Sequence, residues 1–175
     1  MLELDAWLEI AKSAALKGGK YLLENQGQEL KILLNEGRDI KLQLDTDTEK
    51  LIKDSLGSQS EFSILGEETG LSNDLGEFYW VVDPLDGTSN FLRDIPISCV
   101  SIALMQNLTP ILGVIYDFNH DDLYFGHLES KAFLNQIEIA VSNYSEKSQS
   151  TLVTGIPAKT HYSDNEFQNM ISDFQ

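Results

Sequence analysis

The sequence predicts an α+β domain in which helices come first and a long run of strands follows. Three observations carry this. Apolar residues recur at helical spacing near the amino terminus and again after Asp45. From Ser63 to Ser142, short apolar runs rich in β-branched and aromatic residues alternate with turn residues. Between these regions, Tyr79 to Val82 form an uninterrupted apolar stretch that leads into a turn bearing two carboxylates, a glycine and a hydroxyl.

Leu4, Leu8, Ala11, Ala15, Gly18 and Leu22 fall on one helical face, widened by Trp7, Ala14 and Tyr21, so a packing helix is expected over about residues 2–25. Glu29–Leu34 reads as a strand and Asn35-Glu36-Gly37 as a turn. Ile40, Leu42 and Leu44 alternate with Lys41 and Gln43, as in a half-buried strand. Thr46 and Glu49 have the spacing of a capping box for a helix carrying Leu51, Ile52 and Leu56, and by residues alone capping is the favoured role of the nearby acids. Ser63–Gly66 is a short strand that delivers Glu67 and Glu68 to a loop rich in Gly, Ser and Asn. Ile97–Leu104 and Pro110–Tyr116 are consecutive strands joined at Gln106-Asn107, and Leu123–Gly126 is a third. Ala132–Asn135 and Ile137–Ser142 continue the pattern. Leu152–Pro157 reads as a strand, and Asn165–Phe174 begins as a helix.

At 175 residues and 42% hydrophobic content the chain can bury one good core. Its 28 acidic and 12 basic residues give a formal net charge of −16, which argues against a nucleic-acid polymer or an anionic membrane surface as partner. An anionic substrate needs bound cations to reverse the local sign. The single Cys99 lies in an apolar run and is expected to be an inert core thiol. No stretch is suited to span a membrane, and the amino terminus lacks a secretory pattern, so a cytoplasmic protein is expected.

Trp80-Val81-Val82-Asp83-Pro84-Leu85-Asp86-Gly87-Thr88-Ser89-Asn90-Phe91 carries the chemistry. Pro84 has no N–H for the ladder and bends the chain, so the Asp83 and Asp86 carboxylates and the Leu85 carbonyl can converge as hard oxygen ligands suited to Mg²⁺. A helix starting near Thr88 would offer the Gly87, Thr88 and Ser89 amides to a phosphate. The bland alternative, an ordinary turn with capping aspartates, accounts poorly for the whole run. Asn119-His120-Asp121-Asp122 is more simply a polar hairpin loop than a metal cluster, with His120 carrying little weight as a ligand.

This run resembles the signature of the inositol monophosphatase family, matching at Asp83, Pro84, Asp86, Gly87, Thr88, Asn90 and Phe91. The haloacid-dehalogenase phosphatases are the rival, but they place one residue between their aspartates and this chain has two, so a covalent aspartyl-phosphate fits poorly. The resemblance implies a layered helix and mixed-to-antiparallel sheet domain of the inositol monophosphatase/fructose-1,6-bisphosphatase type. It implies hydrolysis of a phosphate monoester with two or three Mg²⁺ ions and inhibition by Li⁺. By position, Glu67 and Thr88 orient the attacking water. Glu67, Asp83, the Leu85 carbonyl, Asp86 and Asp45 hold metal, with Asp47 the neighbouring alternative to Asp45. Gly87, Thr88 and Ser89 bind phosphate, and Glu68 supports Glu67. The implied substrate is a small phosphorylated polyol or sugar.

The resemblance is clear from about Asp39 to Pro157. It implies a domain over 1–150 and the start of a largely missing second α/β domain over 151–175. That second domain supplies a further metal-binding aspartate in a Trp-Asp motif, which this sequence lacks. The expectation is therefore a phosphatase or, alternatively, a non-catalytic metal-binding remnant or half of a split enzyme. The expected partner is a second copy or a complementary half, covering open strand edges and an apolar face.

Overall fold

The computed structural model describes residues 3–28, 31–36, 39–72 and 74–143 and isolated positions up to 172, with backbone alone at 35, 36 and 39–41. The chain divides into a unit over Met1–Ile139 and another over Ala140–Gln175, and every element below belongs to the first. The expected strand Leu152–Pro157, most of the helix expected from Asn165, and the expected strand start at Glu29 and Leu30 lie outside the described residues.

Helix α1 (Leu4–Asn25) buries Leu4, Leu8, Ala11, Ala15, Gly18 and Leu22, the face its spacing predicts, and also Ala14 and Gly19. Strands β1 (Ile32–Glu36) and β2 (Asp39–Leu42) form an antiparallel pair. Glu36 pairs with Asp39, so the ladder runs through the residues expected to turn. Helix α2 (Gln43–Gly57) starts earlier than the Thr46–Glu49 box implies, and Leu44 is helical rather than the end of a strand. The cause is Asp45: at the third helical position its Oδ2 accepts the Leu42 N–H at 2.9 Å and closes the first turn from there. Thr46 and Glu49 form no box.

The remaining strands are β3 (Ser63–Gly66), β4 (Gly70–Leu71), β5 (Phe78–Asp86), β6 (Cys99–Gln106), β7 (Thr109–Asp117), β8 (Asp122–His127), β9 (Ala132–Leu134) and β10 (Ile137–Ile139), with a short helix α3 (Thr88–Phe91) after β5. They form one sheet in the order β10-β9-β8-β7-β6-β5-β3-β4. Among the described residues its only parallel pair is β3 with β5. Among the described residues, too, no helix is long and apolar enough to cross a membrane.

Helix α1 lies across β6, β7 and β8, and α2 packs on α1 and β5. Trp80, Val82, Ile102, Leu104 and Val114 are essentially fully buried in this layer; burying each such side chain contributes about 1.5–3 kcal/mol. The alternate residues line the other face in register: Asp83, Ser101, Ile115 and Tyr124 form one row, and Val81, Ala103, Gly113 and Gly126 the next. Ile115 and Tyr124 are 45% and 38% exposed, so among the described residues no element of this unit covers them. This other face of the sheet is the one on which the acids of the signature lie.

The helix layer meets the sheet closely at Gly19, where an added Cβ would lie 2.5 Å from the Tyr116 ring. Gly57, at the end of α2, has nothing within 4 Å of the same position. Gly19→Ala is expected to destabilise the chain by about 1–3 kcal/mol through overpacking, and Gly57→Ala to change stability by less than about 1 kcal/mol. Urea unfolding of the two variants beside the parent measures both; equal midpoints would remove Gly19 as a packing constraint.

Candidate active site

Strand β5 carries one residue more than its partner through the signature. Asp83 pairs with Ser101 and Asp86 with Cys99, so three steps along β5 match two along β6. In a regular strand, residues three apart point to opposite faces. The bulge at Pro84-Leu85 resets that parity. Ser101 and Cys99 share a face, so Asp83 and Asp86 share it too. Pro84 suits the place because a bulge needs no ladder N–H. Leu85, 2% exposed, anchors the bulge in the core.

The parallel pairing of β3 with β5 places their carboxyl ends side by side, with Gly66 opposite Val82. The Glu67 N–H donates to the Val82 carbonyl at 3.1 Å, which sets Glu67 beside Asp83. The loop after Glu67 is held from below. Glu49 of α2, 0% exposed, accepts the Glu68 N–H at 2.7 Å, the Thr69 N–H at 3.1 Å and the Thr69 hydroxyl, and pairs with Lys53 at 3.1 Å. Burial acts to raise the Glu49 pKa, but the Thr69 hydroxyl, the Glu68 amide and Lys53 outweigh it and hold the carboxyl below its ordinary value.

After β5 the chain turns at Gly87, whose φ of +87° is left-handed and whose Cβ, if present, would lie 2.7 Å from the Ile97 carbonyl. The Gly87 carbonyl accepts the Asn90 and Phe91 amides, and Phe91 is buried in edge contact with Phe118. Thr88 donates its hydroxyl proton to the Leu85 carbonyl at 3.0 Å. Its oxygen is therefore left to accept. The Ser89 hydroxyl accepts from Arg93 at 2.6 Å.

The acids act on one another. Burial, then the charge and hydrogen bond of Glu67, then Asp86 push Asp83 up from 3.8 to about 7, against the Leu85 amide, which donates to Asp83 Oδ1 at 3.1 Å. Crowded carboxylates without a counter-charge are what a cation relieves, and the donors are all hard oxygens, which fits Mg²⁺. Among the described residues no three Asp, Glu, His or Cys side chains already form a closed metal-binding group. Mg²⁺ does not need one, because it keeps several waters and takes a few carboxylates together with substrate phosphate.

The structure thus gathers Glu67, Asp83, Leu85, Asp86, Gly87 and Thr88 at one end of the open face, with Ser89 and Glu68 adjoining. Asp45, the remaining expected ligand, is 2% exposed, and its Oδ2 accepts the Leu42 N–H at the start of its own helix. Cys99 departs from the core position expected of it. It is partly exposed, 3.9 Å from Asp86 Oδ2, and burial with the charges of Asp86, Asp83 and Asp117 pushes its thiol up to about 12, so it stays protonated. His120 lies 2.8 Å from Asp117 in the hairpin turn. Sequence reasoning missed Glu49, whose partners lie 19 and 20 residues away and which its spacing assigned to a cap. Two clefts of about 380 Å³ flank the acids, one lined by Leu65, Glu67, Val81 and Asp83, the other by Asp86, Ile97, Cys99, Asp117, His120 and Tyr124.

The raised Asp83 value has a definite sign. The folded chain keeps a proton that the unfolded chain releases, so without metal its stability falls as pH rises from about 4 to about 7 and then levels. Asp83→Asn removes this component. In EDTA, the urea midpoint of Asp83→Asn is expected to rise relative to that of the parent across this window; parallel profiles would show that Asp83 titrates normally.

Across residues 3–174 the chain matches the inositol monophosphatase family model. It is 33% identical to a fructose-1,6-bisphosphatase/inositol-1-monophosphatase of Aquifex aeolicus, over 99% of this chain and 67% of that protein. It is 36% identical to the Nus factor SuhB of Xylella fastidiosa, over 85% of this chain and 54% of that one. Among solved structures, an inositol monophosphatase from Anabaena aligns with a TM-score of 0.73 at 36% identity, covering 85% of this chain and 54% of the other. The chain spans about half to two thirds of the length of these relatives. With the signature in place at the end of β5, the match over nearly the whole sequence settles the classification: the chain belongs to the inositol monophosphatase family.

Proposed function

We propose that the chain carries the water-orienting and phosphate-holding side of a Mg²⁺-dependent phosphomonoesterase acting on a small phosphorylated polyol or sugar. The observation that carries this reading is the pairing of the bulge with the turn: two carboxylates on one face, directly followed by a hydroxyl whose proton is already committed to the Leu85 carbonyl. Relatives named as inositol monophosphatases and fructose-1,6-bisphosphatases support the reaction class.

Glu67, Asp83, Asp86 and the Leu85 carbonyl would hold the Mg²⁺, which would neutralise phosphate charge and lower the pKa of the attacking water. The chain's own groups do the rest. Glu67 accepts a proton of that water, and Thr88 Oγ1, unable to donate elsewhere, accepts the other and aims the oxygen at phosphorus. Amides of the Gly87–Ser89 turn, unpaired by position in a first helical turn, bind the phosphate oxygens. The flanking clefts of about 380 Å³ each have the size of a small-molecule site. One observation favours a second reading, metal binding without turnover: Glu67 and Asp86 are exposed, so the acids stand open on one side.

Phosphate release from inositol, sugar and nucleotide phosphates, measured with Mg²⁺, with EDTA and with Li⁺, separates the two. The first reading expects release that EDTA abolishes and Li⁺ suppresses. Loss of metal stabilisation worth several kcal/mol lowers the rate about 100-fold or more in Asp86→Asn. Release that persists in EDTA, or an Asp86→Asn variant at parental rates, would exclude it. Calorimetric Mg²⁺ binding with no release across the panel would establish the second.

A further inference from the structure

Glu49 is wholly buried in the middle of α2, and its carboxylate meets the turn after β3. The approach is possible because Gly66 has no side chain: a Cβ there would overlap the Glu49 carboxylate. Two consecutive amides and a hydroxyl converge on this one anion. Lys53, one helical turn on, balances its charge and also donates to the Thr69 hydroxyl and the Gly70 carbonyl. Burying an ion pair is an expensive way to gain stability, since desolvation consumes most of the attraction. What this arrangement supplies instead is register, because Glu68 and Thr69 can satisfy Glu49 in only one placement. Glu67 is the residue immediately before them, and its own amide is fixed to Val82, next to Asp83.

We propose that Glu49 is a positioning residue for cation binding: through Glu68 and Thr69 it holds Glu67 against Asp83, so that Mg²⁺ affinity depends on a carboxylate that never touches the ion. The inference rests on the functional reading above only in taking Glu67 as a ligand. It makes the buried layer between α2 and β3 part of the site.

The experiment is a double-mutant cycle read by Mg²⁺ calorimetry on the full chain. Glu49→Gln keeps the shape but turns an NH₂ group toward donors. It is expected to weaken Mg²⁺ binding about 10–100-fold, the usual effect of removing a group that orients a ligand, and to speed hydrogen exchange at the Glu68 and Thr69 amides while leaving β6 and β7 protected. In a Glu67→Ala background the same change is expected to have no further effect on affinity. A Glu49→Gln loss that persists undiminished in that background, or a parental affinity in Glu49→Gln, overturns the inference. Parental affinity in Glu67→Ala alone overturns the functional reading and this inference with it. Thr69→Val, at an exposed position, tests the same link without disturbing α2. It is expected to weaken binding several-fold and Thr69→Ser to restore it; equal affinities for the two overturn the inference even if Glu49→Gln fails to fold.

Discussion

One extra residue in β5 decides where the chemistry can happen. Without the bulge at Pro84-Leu85, Asp86 would point to the helix side of the sheet, away from Asp83. With it, both aspartates emerge on the uncovered face, Leu85 fills the core beneath them, and its carbonyl is left to receive Thr88. The parallel pairing of β3 then adds the third acid, since only a neighbour running the same way ends at the same edge. Connectivity and register thus do the work of assembly before any side chain chooses a rotamer.

The fold treats Glu49 and Asp83 in opposite ways. Glu49 is given every partner it can use and stays ionised at the heart of the packing. Asp83 is placed beside two like charges and given one amide, which leaves it carrying a proton near neutrality. The first arrangement is complete; the second is finished only by something positive from outside. A chain of net charge −16 concentrates cations around such a place.

What could be read from the sequence was whatever is written in consecutive residues. The buried face of α1, the strand–turn–helix of the signature and the hairpin positions of β6 to β10 all follow from local periodicity and turn chemistry. The start of α2 did not, because Thr46 and Glu49 imitate a cap while Asp45 supplies the actual bond to Leu42. Glu49 escaped for a different reason: its partners lie in the turn after β3, 19 and 20 residues away, which no spacing encodes. Cys99 was read from its apolar neighbours, yet the register of β6 against the bulge carries it to the side of Asp86. The family resemblance singles out Glu67 by its place in the chain, but what sets it beside Asp83 is the parallel pairing of β3 with β5.

The margins of the large sheet bear on how the molecule behaves in company. Its outermost strands are β4, of 2 residues, and β10, of 3. A foreign strand docking there would find only a few unpaired amides and carbonyls, too few to template continued growth. Ribbon-like self-assembly is therefore blunted at both flanks, and the strong negative charge opposes it further. Association through backbone pairing therefore has little to hold at either edge of the described sheet, and what meets those edges is met by side chains rather than by an open ladder.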